Sequence, residues 1–172
     1  MADFLPVDQV VGLPLKSHNP WGRPSTIVTG NGTPVMRTQN LNLKDTSTVS
    51  WHGFTGALKL TGNYFVLLGI RISQSARIEL ISEPGEKLGE MPGLPMPQMA
   101  LVGEKTYHVK PFFLAYNVHA WKVRDDLGTI MTCTSESATS SLIVARYVPH
   151  ASELLAMLWT LDMTMSRWSK MG

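Results

Sequence analysis

The chain has 172 residues, long enough for a single domain whose core needs no covalent staples, and 44% of them are hydrophobic while only 16% are charged. A formal charge of +2 with no concentrated Lys or Arg run excludes a coat protein that grips phosphate through a dense basic tail. The single cysteine, Cys133, excludes an intramolecular disulfide and a cysteine-cluster zinc site, which fits a reducing compartment. So little charge has two readings. Either the surface packs against copies of the same chain, or the core is larger than usual. The start of the chain lacks a charged stretch leading into an apolar core, and no apolar run reaches spanning length, so neither a secretory signal nor a transmembrane segment is expected. Acylation needs Gly at the second position, where this chain has Ala2.

Residues 1–25 hold Pro6, Pro14, Pro20 and Pro24 among short apolar pieces, a pattern that predicts an extended arm rather than a helix or strand. Phe4, Leu5, Val10, Val11, Leu13 and Trp21 are too apolar for a solvated tail, so the arm is expected to lie on another surface and to mediate self-association. Residues 26–172 form the expected single β-rich domain. Asn31-Gly32 between two short β-prone runs signals a hairpin of type I′. Thr38 to Ser50 reads as a polar connection, and the core is expected from Trp51 onward. Leu58 and Leu60 flank Lys59 in a one-faced strand. Gly62-Asn63 reads as a turn into Tyr64 to Leu68, whose continuous apolar run predicts a central strand. Around Arg71 and Arg77 the alternation is clean, so Lys59, Arg71 and Arg77 are expected to form a basic strip on the outer face that contacts a nucleocapsid.

Between Pro84 and Met99 the period is lost. Met91, Leu94, Met96 and Met99 are interleaved with Pro92, Pro95 and Pro97, which predicts a long loop for docking a partner or a membrane surface. Strands are expected at Thr106 to Lys110, Phe112 to Val123, Thr129 to Cys133 and Leu142 to Val148. The end of the chain changes character. Ser152 and Glu153 mark a helix start, and Leu154, Leu158, Leu161, Met165 and Trp168 recur at helical spacing over 152–170, predicting an amphipathic helix. The fold class expected is α+β, mostly β: an antiparallel sheet or sandwich with the Pro-rich arm and the C-terminal helix.

No catalytic, metal or cofactor pattern stands out. His18, His52, His108, His119 and His150 have no metal-ligand spacing. Cys133 between Thr132 and Thr134 reads as a small buried residue rather than a nucleophile. Asp125-Asp126 belongs to a turn, and Gly30-Asn31-Gly32 lacks the lysine and helix of a phosphate loop.

In size and organisation the chain resembles the matrix protein of a rhabdovirus, particularly the short plant-type versions. The matching parts are the arm Met1 to Ser25, the sheet Val49 to Ile81, the apolar loop Met91 to Met99 and the strands Tyr107 to Val123. The resemblance implies a non-enzymatic protein of host cytoplasm and virion that self-associates, condenses a nucleoprotein–RNA complex and bridges it to the envelope as a peripheral membrane protein. It implies no small-molecule substrate and no cofactor. The basic N-terminal region and the Pro-Pro-x-Tyr or Pro-Thr-Ala-Pro motif of animal-virus members are missing here. A jelly-roll capsid protein and a β-barrel carrier of a small ligand are the alternatives. The carrier reading requires an internal pocket.

Overall fold

The computed structural model describes residues 3–18, 25–38, 46–61, 64–67, 70–73, 76–94, 96–115, 118–136 and 139–171. For 18, 25, 64–67, 70–73, 112–115, 118–119, 136, 139 and 164–171 only the backbone is described. Fourteen strands lie among the described residues. They are β1 Pro14–His18, β2 Ser25–Val28, β3 Pro34–Thr38, β4 Thr46–Trp51, β5 Phe54–Thr61, β6 Tyr64–Leu67 and β7 Ile70–Ser73. There follow β8 Arg77–Ser82, β9 Lys87–Pro92, β10 Met99–Val102, β11 Lys105–Ala115, β12 Val118–Asp125, β13 Gly128–Glu136 and β14 Thr139–Val144. One helix, α1 Ala151–Met171, ends the chain.

Twelve of these strands close into a barrel in the order β1-β14-β13-β12-β11-β10-β9-β8-β5-β4-β3-β2. β1 makes the closure, pairing antiparallel with β14 on one side (Leu15 opposite Leu142) and with β2 on the other (Ser17 opposite Ile27). Apart from that seam and the β5–β8 pair, each stave hydrogen-bonds to its neighbour in sequence. Alternation of side chains then dictates an inside and an outside. In β4, for example, Ser47, Val49 and Trp51 are buried while Thr46 and Thr48 are exposed. Leu15, Ile27, Met36, Val49, Leu58, Leu80, Tyr107, Trp121, Cys133 and Leu142 are all fully buried, one from each of ten staves.

The lumen they face holds α1. Every residue from Leu154 to Met163 is buried, so this stretch of helix has no solvent face. It packs against β8, β9, β10, β12 and β13, and it hydrogen-bonds to Ser17 on β1 and Ser140 on β14. No helix lying on the outside of a barrel reaches so many staves. Gly89 on β9 marks how close the helix comes: a Cβ there would sit 2.9 Å from the Leu101 carbonyl and 3.4 Å from the Met157 methyl.

The closed barrel overturns the open sheet or sandwich of an α+β fold, and with it the jelly-roll alternative, which needs Greek-key crossings between two sheets. What remains of the expectation is that the chain is mostly β. The extended arm is corrected too. Pro14–His18 is a stave, and the residues before it are tied to the barrel rim by Leu5 N–H to Pro34 O at 3.0 Å and Gly12 N–H to Val144 O at 2.7 Å. The helix is not amphipathic over its described side chains, because a lumen surrounds it. β6 is no central strand: it pairs with β7 alone, while β5 skips past both to β8.

Other differences have local causes. β4 lies inside the stretch read as a polar connection, where Ser and Thr occupy outward and inward positions alike. β9 lies wholly inside the stretch read as loop and ends at Pro92, and β10 begins at its last residue, Met99. β11 runs straight through Pro111, which sits where the register with β12 shifts and no ladder donor is needed. The hairpin at Asn31 does form, but Thr29 N–H bonds Thr33 O at 3.0 Å around a longer loop, with Gly32 at φ 87.

The buried helix makes a clear prediction. Leu158→Ala should cost about 2–5 kcal/mol of unfolding free energy. Leu127→Ala, at a side chain 83% exposed, should stay within about 0.5 kcal/mol. Urea denaturation compares the two, and equal effects would mean that α1 does not fill the lumen.

Candidate functional site

Three places bring polar side chains together. The first is inside the barrel, where α1 faces β1, β14 and β13. Trp159 Nε1–H donates to Ser17 Oγ at 2.6 Å, and Ser140 Oγ–H donates to Asp162 Oδ2. Asp162 Oδ1 and Trp121 Nε1 are buried without a hydrogen-bond partner. Trp121 stands directly across from Cys133 in the β12–β13 register.

Burial pushes the Asp162 carboxyl up to about 6, against the pull of the Ser140 and Cys133 hydrogen bonds. Burial, reinforced by the Asp162 charge, pushes the Cys133 thiol well up. A thiol held protonated in a sealed interior is no nucleophile, so this arrangement fits a structural cluster. Cys133 is buried, as its flanking threonines suggested. What it can do is orient the helix and take up a proton.

The second place is the rim where α1 enters. A recess of about 170 Å³ lies between Val7, Trp51, His52, Tyr147 and Ser152. Close by, Tyr107 Oη and His150 Nδ1 are 3.1 Å apart. Burial raises the Tyr107 hydroxyl above its usual value, and the Asp125 and Glu153 charges add to the effect.

The third place is on the outside, a recess of about 350 Å³ lined by His108, Lys110, Arg124, Asp125 and Asp126. Desolvation acts to raise the Asp125 carboxyl, but the Leu127 amide at 2.9 Å and the Arg146 guanidinium outweigh it and hold it below the ordinary value. Among the described residues no three His, Cys, Asp or Glu side chains group as a metal site requires.

The residues expected at contacts are scattered. Of the self-association set, Val10 is buried, Phe4, Leu5 and Val11 are half-buried, Leu13 is exposed, and Trp21 lies outside the described residues. Of the loop set, Met91 and Leu94 are fully buried, whereas Met96 and Met99 are 50% and 40% exposed. Lys59 and Arg77 do project outward, on β5 and β8. The Arg77 guanidinium is already bonded to Glu79 at 2.7 Å, and for Arg71 only its backbone on β7 is described. The sequence reading misses Asp162 as a buried polar side chain. A carboxylate in the middle of an otherwise apolar helical run was the available signal.

Asp162 gives a pH prediction. Its folded value lies above that of an unfolded aspartate at 3.8, so the folded barrel is the state that holds the proton. The stabilising contribution is complete below about pH 4 and is lost as pH rises through about 6. Asp162→Asn should therefore raise stability at neutral pH by up to about 3 kcal/mol and flatten the melting profile between those limits. A lower Tm at neutral pH with an unchanged profile would contradict this assignment. In the loop, Leu94→Asp should cost about 3 kcal/mol or more and Met96→Asp about 0.5 kcal/mol or less, read by urea denaturation.

No protein-family model, curated protein or solved structure matches the chain.

Proposed function

We propose that the chain is a non-enzymatic structural protein that self-associates in virion assembly and bridges a nucleocapsid to the envelope, as a matrix protein of host cytoplasm and virion. The observation that carries the self-association is the two-stranded sheet β6–β7. A two-stranded sheet is marginal on its own, and among the described residues no third strand pairs with either of its outer edges, where another strand can add. Its sequence is apolar throughout β6, Tyr64-Phe65-Val66-Leu67, and β7 adds Ile70 and Ile72 between Arg71 and Ser73. A second copy of the same hairpin would meet the same needs.

The filled lumen speaks against the carrier reading, because the internal pocket that it requires is taken by α1. The described helix is not long and apolar enough to cross a membrane. Outward positions such as Lys16, Arg37, Thr48, Lys59 and Lys110 are exposed and polar, unlike the apolar band of a lipid-facing barrel. Envelope contact in this reading is therefore peripheral.

The register provides the test. Thr61 on β5 and Arg77 on β8 are directly opposed, so a short Asn-Gly turn leading into the buried Ala76 can replace residues 62–75 and leave the β5–β8 pair intact. The full chain should sediment as an oligomer. The excised chain should remain folded, with a similar Tm, and sediment closer to a monomer. A full chain that is monomeric at every concentration sinks the reading, as does an excised chain that associates like the full one.

A further inference from the structure

The outer face of β11 and β12 carries two cross-strand pairs of basic residues. His108 stands directly opposite Arg124, and Lys110 directly opposite Lys122. Opposed side chains on one face of an antiparallel pair are about 5 Å apart at Cβ, which brings the Lys110 and Lys122 charges onto one narrow stretch of the wall. The two pairs follow one another at about 7 Å along the strands.

Elsewhere on the wall, three basic residues have carboxylate partners. Arg77 bonds Glu79 at 2.7 Å, Lys87 bonds Glu90 at 2.7 Å, and Arg146 bonds Asp125. Lys110 and Arg124 have no such ion pair among the described residues, and both line the recess of about 350 Å³. Of the two carboxylates at its rim, Asp125 is occupied by Arg146 and the Leu127 amide. Asp126 lies exposed in the turn.

We propose that the β11–β12 outer face, through His108, Lys110, Lys122 and Arg124, binds the phosphodiester backbone of single-stranded RNA. Two cross-strand basic pairs in file make a narrow track, the form that a sugar-phosphate chain can follow. An anionic bilayer is a broad plane that would press against Asp125 and Asp126 at the rim, whereas a single strand passes beside them. The track replaces the strip expected at Lys59, Arg71 and Arg77, where Glu79 already engages Arg77. It rests on the nucleocapsid half of the assembly reading and is independent of self-association.

The experiment measures anisotropy of a short labelled oligouridylate against salt, with the full chain and with Lys110→Glu/Arg124→Glu. The full chain should bind, with affinity falling as salt rises. The double variant should bind about tenfold more weakly or worse, with a log–log salt slope shallower by roughly 1.4. Its Tm should be equal or slightly higher, because Glu opposite Lys122 replaces two like charges by an opposite-charge pair. Lys59→Glu should bind within about twofold of the full chain, since one stray phosphate contact is a small part of the total. The proposal is overturned if the full chain does not bind the RNA, if the double variant binds it equally well, or if the double variant loses binding only to phosphatidylserine vesicles. Sedimentation of the same samples keeps the two ideas apart. Lost self-association with RNA binding as expected removes the assembly reading alone, and the converse removes the track alone.

Discussion

Closing twelve strands creates a space that side chains alone cannot fill. Barrel width grows with strand number, and about eight staves is the size at which inward side chains meet across the axis. The twelve here leave room for another element, and α1 takes it. The rest of the structure follows from this. A helix surrounded by a wall must be apolar on all sides, so the stretch from Leu154 to Met163 has lost the polar face that a surface helix keeps. Where the wall comes nearest it must be thin, and Gly89 opposite Met157 provides that thinness. The carboxyl end of β14 must lead straight into the lumen, which the short link from Ala145 to His150 achieves.

An apolar helix in an apolar tube has little to stop it turning or sliding, because hydrophobic contact is not directional. The polar contacts supply direction. Trp159 to Ser17 and Ser140 to Asp162 reach two adjacent staves, β1 and β14, and so fix one face of the helix to one sector of the wall. The cost is a carboxyl group with a buried unpartnered oxygen. A group of this kind weakens the fold while narrowing the ways in which it can pack.

Much of the strand content was legible in the sequence, and the architecture was not. Alternation at Arg77-Ile78-Glu79-Leu80 and the turn at Asp125 to Gly128 are local signals, and β8 and the β12–β13 turn stand where they pointed. Closure is not local. Whether β1 pairs with β14 depends on contacts between residues more than a hundred positions apart, and no period along the chain encodes that. Pro14 and its neighbours looked like an arm because proline excludes central ladders, yet Pro14 begins its strand, where the missing donor matters least. The helix misled differently. Its stripe at Leu154, Leu158 and Leu161 was read correctly as buried, but Trp159, Thr160 and Asp162 beside it gave no hint that they too were inside. Of the candidate sites, basic residues could be counted but not paired. Lys110 and Lys122 become neighbours only through the β11–β12 register.

The low charge now has an explanation that bears on what the molecule does. A barrel with a helix inside carries two layers of core, one on the inner wall and one around α1, and so absorbs a hydrophobic share of 44% without an apolar exterior. Composition therefore stops being an argument for assembly. The wall offers no help either, since a closed barrel has no edge strand to lend to a partner. Attachment by strand addition is left to β6–β7 among the described strands, and attachment by charge to faces such as β11–β12.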